Sequence, residues 1–148
     1  MRRSGFTTIE MVICVILIGI IASIGFPKIR NALDKSNVRS SRDALGTEAA
    51  IARSAAIQRG CRGVLHFTSG AAATVWVTTA CPTRVDTVAG VEKLSTRFNV
   101  TLTATRDSVQ YDPRGLSMDN AVTVVRITGA AGFKDSVMIN TIGKVVRR

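Results

Sequence analysis

Residues 11–27 read MVICVILIGIIASIGFP, 17 positions without a charge between Glu10 and Lys28. At a helical rise of ~1.5 Å per residue they span ~26 Å, slightly less than a ~30 Å hydrocarbon layer. The stretch reads as a helix that enters a bilayer with its flanks at the interface. The whole chain of 148 residues has room for one domain and an appendage, which excludes a multidomain enzyme. With 46% hydrophobic and 20% charged residues it is too apolar to stay disordered. Aromatics make up only 5%, so a core must rest on Val, Ile, Leu and Ala. Lys and Arg number 20 against 10 Asp and Glu, and two of those bases and one acid precede Pro27, which leaves +9 on residues 28–148. Such an excess attracts polyanions, whether nucleic acid or anionic lipid.

The flanks of the apolar run separate three uses for it: a cleaved secretory signal, a simple anchor, and a helix that later leaves the membrane. Arg2 and Arg3 supply the basic start of a signal peptide, and Ser23-Ile24-Gly25 supplies a small-x-small site before Phe26. Cleavage there would release an exported binding protein beginning at Phe26. Glu10 argues against it, because a carboxylate carried to mid-membrane costs ~2–3.5 kcal/mol and adds nothing to insertion.

Arg2-Arg3-Ser4-Gly5, Phe6, and then Glu10 four residues on, followed by the run to Pro27, resemble the class III leader of type IV pilins and pseudopilins. The resemblance implies cleavage by a prepilin peptidase between Gly5 and Phe6 and N-methylation of Phe6. It also implies storage as a single-pass inner-membrane protein with a periplasmic head, then assembly with other pilins or pseudopilins on an assembly platform. There is a physical reason for the acid. Once Phe6 is the terminus, its ammonium group can be neutralised by Glu10 of a neighbouring subunit, in a low dielectric that strengthens the pair while desolvation takes back part of the gain. Glu10 is thus the candidate for subunit docking, and Met11, Val12, Val15, Ile16, Ile20 and Ile24 would exchange lipid for sister helices.

Pro27 either kinks this helix or ends it. Beyond it, Leu33, Val38, Leu45, Ala49, Ala52 and Ala56 fall on one stripe, and Gly60 suits a C-cap. The pattern predicts one helix from about Thr7 to Arg59. From Cys61 the chain changes to short β-branched segments, predicted as strands at 62–67, 74–79, 98–105, 108–112, 122–128, 136–140 and 144–147. Turns are expected at Ser69-Gly70, at 112–115 and at 129–132. Residues 83–94 lack a pattern and read as a loop. The expected fold class is α+β: a leader at 1–5, a transmembrane and filament-core helix at 6–27, an amphipathic continuation at 28–60, and an antiparallel β-sandwich head at 61–148.

Cys61 and Cys81 flank the first hairpin. In an exported head they pair, closing a loop worth ~3 kcal/mol in the chain-entropy model; the alternative is two buried thiols. Cys14 reads as a small packing residue. His66 lies in a strand beside Val64 and suits the polar face of a sheet better than a metal site, and Trp76 suits a core or rim position. The sequence has no CxxC, HExxH, GxSxG, P-loop or GxGxxG, and Asp107, Asp112 and Asp119 lack calcium-loop spacing. No catalytic role, cofactor or metal is expected.

Tyr111-Asp112-Pro113-Arg114-Gly115, a Val-rich strand, Ser136-Val137-Met138-Ile139 and Ile142-Gly143-Lys144-Val145 resemble the C-terminal half of the GspH/FimT group of minor pseudopilins and minor pilins. That group implies service in type II protein secretion or in pilus biogenesis, with DNA binding through a basic tail as the FimT-like alternative. Lys144, Arg147, Arg148 and Arg114 are the candidates for DNA phosphates, with Arg126 a contributor. The tail departs from the group's Gly-Arg-x-Arg: Lys144 follows Gly143, and Val146 stands at the second basic place. A solvated basic edge strand is the other reading of the same residues.

Overall fold

In the computed structural model, which describes residues 7–147, helix α1 runs unbroken from Thr8 to Arg59, 52 residues. Thr7 caps it: the Glu10 backbone N–H donates to Thr7 Oγ1 at 3.4 Å, satisfying one of the donors that a helix start leaves over. Pro27 lies inside the helix and does not end it. Gly60, at φ +60°, supplies the left-handed residue that closes the other end. The chain divides into two compact units, one up to Leu33 and one from Asp34 onward.

The second unit is the head, and its α1 segment shows why it packs. Buried positions recur every seven residues, Asp34, Ser41, Glu48 and Ala55 on one row and Val38, Leu45 and Ala52 on the next, with Ala49 and Ala56 beside them. That spacing keeps one face of a helix turned to a core. Leu33, expected on the stripe, is 58% exposed; burial begins one residue later at Asp34. The small residues let the helix come close to the sheet. A Cβ on Gly63 would collide with the Ala52 carbonyl oxygen, so the first strand passes under the helix only because that residue is glycine.

Among the described residues, eight strands form two antiparallel sheets. Strands β1 (Arg62–Phe67), β2 (Thr74–Ala80), β3 (Val85–Lys93) and β5 (Ser108–Tyr111) make one sheet in the order β3-β2-β1-β5. Strands β4 (Val100–Ala104), β6 (Thr123–Gly129), β7 (Lys134–Ile139) and β8 (Val145–Arg147) make the other in the order β4-β6-β7-β8. A short helix, α2 (Leu94–Phe98), joins β3 to β4 through Asn99 in the left-handed region. Leu65, with Val77 and Val109 opposite, and Ile127, with Leu102 opposite, line the inner faces. These residues share one core with Val38, Leu45 and Ala52 of α1.

Of the expected loop at 83–94, only 83–84 remain outside regular structure; Val85–Lys93 form β3 and Leu94 opens α2. This strand lies at the sheet's edge, contains no fully buried residue, and slips register twice against β2. Only Val88 and Ala89 of this edge strand pack partly against the core, so its sequence carries little of the alternation that a fully covered strand shows. Phe98, expected to open a strand, closes α2. The other predicted strands occur, with ends shifted by one or two residues.

Candidate functional site

The first 26 residues of α1 carry apolar mass that the chain leaves uncovered. Fourteen large apolar side chains between Ile9 and Leu33 are exposed, Ile21 by 70%, and the most apolar 18-residue window has mean hydropathy 2.6 with none of it buried. Each such side chain gains about 1.5–3 kcal/mol on leaving water, so this segment requires lipid or other chains around it. Glu10 stands in the first turn, exposed, without an ion-pair partner among the described residues. Cys14 is a free, exposed thiol on the same segment. Gly5 and Phe6, the expected cleavage and methylation positions, lie outside the described residues.

In the head, Cys61 and Cys81 form a disulfide with Cα atoms 5.0 Å apart, as the spacing around the first hairpin led us to expect. The register explains the approach, since Arg62 and Ala80, the adjacent residues, face each other across β1 and β2. The bridge ties the end of α1 to the sheet, and Arg59 reinforces it by donating to Thr79 Oγ1 at 2.9 Å and to Asp86 at 3.1 Å.

The expected DNA-contacting residues are not gathered into one free set. Arg114 is held by Asp112, Nε to Oδ2 at 2.9 Å. The Leu116 and Arg114 backbone N–H groups also donate to Asp112, and these contacts, Leu116 first, hold its carboxyl below the usual range against some opposing desolvation. Lys144 is exposed just before β8. Arg147 pairs with Val137 in the β7–β8 ladder, its backbone alone being described, and Arg148 lies outside the described residues. Arg126 is exposed on β6, between Thr103 and Ser136 in the register.

His66 takes the expected place on the outer face of its sheet. Its ring stacks on Trp76 at 4.9 Å, and Nε2 hydrogen-bonds Thr78 Oγ1 at 2.8 Å. Burial lowers its pKa below the ordinary histidine value. No cluster of three or more His, Cys, Asp or Glu able to hold a metal occurs among the described residues.

Four polar groups escaped the sequence reading: Asp34, Glu48 and Tyr111 are buried and Arg42 is half-buried. Asp34 accepts the Phe133 N–H on Oδ2 at 3.1 Å, and only glycine at 129 leaves room for its carboxylate. Arg42 donates to Asp135 at 3.0 Å. Glu48 is buried with Oε2 unpartnered, and desolvation first, then Glu92, raises its pKa. Tyr111 is fully buried with its hydroxyl unpartnered, and burial pushes its pKa up to about 12, with Arg53 opposing and Asp119 adding to the rise. The signal for Asp34 and Glu48 was their seven-residue spacing with Ser41 beside the apolar row.

The sequence matches no protein-family model and no curated protein. Among solved structures, the type IV minor pilin FimU of Pseudomonas aeruginosa PAO1 superposes with TM-score 0.61 at 10% identity, over 77% of this chain and 90% of that one. The fold is that of a type IV pilin. A second crystal form of FimU agrees, with TM-score 0.53 at 13% identity over 74% and 91% of the two chains. At these identities the likeness is one of architecture: the pilin-like fold here is a long, partly apolar α1 whose later half packs on antiparallel sheets.

Proposed function

We propose that this chain is a minor pilin of the GspH/FimT group, a filament subunit that assembles through residues 6–33 into a type IV pilus. The observation that carries the reading is the contrast within α1: its second half is the spine of the head, while its first half is a bare apolar rod joined to it without a break. A helix in this condition is stable in lipid, and equally stable among identical rods, so a transfer from membrane to filament exchanges one apolar surround for another. The leader pattern supports the same reading, with cleavage after Gly5 and methylation of Phe6 creating the terminus that Glu10 of a neighbour neutralises. The likeness to a minor pilin supports a pilus as the filament. Pro27, within the rod, is the position at which we expect the helix to bend during assembly.

The reading is tested by intact mass and by incorporation. A mature chain beginning at methylated Phe6 is expected; one beginning at Phe26 would identify an ordinary secreted protein and end the proposal. Glu10→Ala is expected to reduce the amount in sheared fibres by more than tenfold while the membrane-held pool remains.

A further inference from the structure

Tight turns usually carry small or polar residues, yet two turns of the head present bare aliphatic ones. Ile142 is the third residue of the turn 140–143, which the Gly143 N–H closes by donating to the Asn140 carbonyl at 2.8 Å, and it is 59% exposed. Leu116 follows the turn 112–115 and is 43% exposed, its N–H donating to Asp112 Oδ1 and its carbonyl accepting the Asp112 N–H, both at 2.8 Å. Ile57, in the last turn of α1, is 51% exposed. The three lie on adjoining segments. A Cβ on Gly115 would stand 2.7 Å from Ile57 Cδ1 and 3.0 Å from Arg53 Nε, so the turn before Leu116 rests on the end of α1. A Cβ on Gly143 would stand 3.2 Å from the Ser117 backbone nitrogen, so the turn bearing Ile142 rests beside Leu116. Single exposed aliphatic residues are ordinary on a protein surface, whereas three on abutting, hydrogen-bonded segments make a patch.

The charges around this patch are one-sided. Arg53 and Lys144 are exposed and form no ion pair among the described residues. The acids on the neighbouring segments, Asp112 and Asp119, are largely buried and already bonded to Arg114 and Arg106. A second copy of the chain has no answering surface. Of the acids in the head, six lie against an arginine of their own chain and Asp34 and Glu48 are buried, which leaves Asp107 as the exposed acid without such a partner among the described residues. Lipid around the rod is not the cover either, because Ile57 stands ~35 Å along α1 from Asp34, where the chain enters the head. DNA answers the bases but not the aliphatic residues, since phosphate contacts need positive groups alone, whereas protein interfaces set a polar rim around an apolar centre.

We infer that Ile57, Leu116 and Ile142 form the docking site for a different filament subunit, one whose surface brings an apolar centre and Asp or Glu carboxylates that pair with Arg53 and Lys144. The turns are fixed by their own hydrogen bonds before any partner arrives, so little ordering cost opposes the contact. The apolar centre supplies the driving force and the two bases set which partner is accepted, because a basic head such as another copy of this chain is repelled from them. The inference rests on the filament reading for the class of its partner and adds to it the head surface and the chemistry by which unlike subunits meet.

The test places a photoreactive phenylalanine analogue at position 142 of the full chain in the cells that make it; after irradiation the fibres are sheared and the adducts identified by peptide mass. The expected adduct joins this chain to another fibre subunit through a peptide that holds aliphatic residues beside Asp or Glu. The same analogue at position 85, where Val85 is equally bare on β3, should give no adduct with that subunit. Arg53→Glu with Lys144→Glu should lower the yield more than tenfold, and a lysine in place of the partner's carboxylate should restore it, which also shows that the variant is folded. Should the reversal misfold, Arg53→Gln with Lys144→Gln provides the same comparison. No adduct at position 142, an adduct with a second copy of the chain, or a yield undiminished in the charge variants would each overturn the proposal. So would duplex DNA binding that the charge variants lose and Ile57→Ser with Ile142→Ser leaves unchanged, since that assigns the surface to nucleic acid. Wild type found in fibres without the adduct is failure of this contact alone; wild type absent from fibres is failure of the filament reading, and removes the partner with it.

Discussion

From Thr8 to Leu33, α1 carries Ile, Val, Leu, Met and Phe side chains that all remain bare, whereas from Asp34 to Arg59 it buries Val38, Leu45 and a set of alanines against two sheets. The half with more apolar surface thus buries less of it within the chain. In the head, small residues matter more than apolar ones, because Ala52 and Gly63 let backbone meet backbone and the sheets supply the bulk. In the rod, bulk is displayed outward on every side, as a surface meant for a surrounding of lipid or sister helices requires.

The contrast can be broken by equal truncations in the two halves. Leu45→Ala is expected to cost the head about 2–5 kcal/mol in denaturant unfolding, since Leu45 is fully buried. Ile16→Ala, 56% exposed in the native residue, should leave head stability within about 0.5 kcal/mol. A comparable loss from both would mean that the rod folds back on the head. Removing the Cys61–Cys81 bridge by paired alanine substitutions is expected to cost about 3 kcal/mol, again without effect on the rod's membrane retention. Gly63→Ala should cost about 1–3 kcal/mol, because the new methyl group forces β1 away from the Ala52 carbonyl.

The smallest effect is a slope. Burial raises the Glu48 pKa above its ordinary 4.5, so the native state holds that proton longer than the unfolded chain does. Its contribution is complete below pH 4.5 and is lost as pH rises through the elevated native value. His66 acts in the opposite sense: its lowered pKa adds stability above 6.5 that is lost as pH falls. Glu48→Gln should remove only the first of these, and the difference between variant and wild-type unfolding across that pH range measures it. An unchanged slope would mean that Glu48 already has a partner in solution.

The rod was legible because its signal is local. Seventeen uncharged residues and a closing Gly60 need no knowledge of the rest of the chain, and the same holds for strands such as β6, whose alternating Val and Ile residues face a core. The bridge was legible from two cysteines flanking a hairpin. What failed was non-local. The pattern in β3 is faint because an edge strand has one neighbour and only Val88 and Ala89 of it pack partly against the core. Asp34 and Glu48 went unread because helical spacing alone does not tell whether a polar residue on the stripe finds a backbone donor, as Asp34 does at Phe133, or remains without one, as Glu48 does.

By itself, then, the sequence determined the long helix, most of the strands, and that one end is too apolar for water, since each depends on neighbours a few residues away. Only the tertiary structure decided where burial starts along α1, how eight strands divide between two sheets, and which charges are left unanswered. Those outcomes depend on residues as far apart as Asp34 and Phe133 arriving at the same place, and distance along a chain does not encode distance in space.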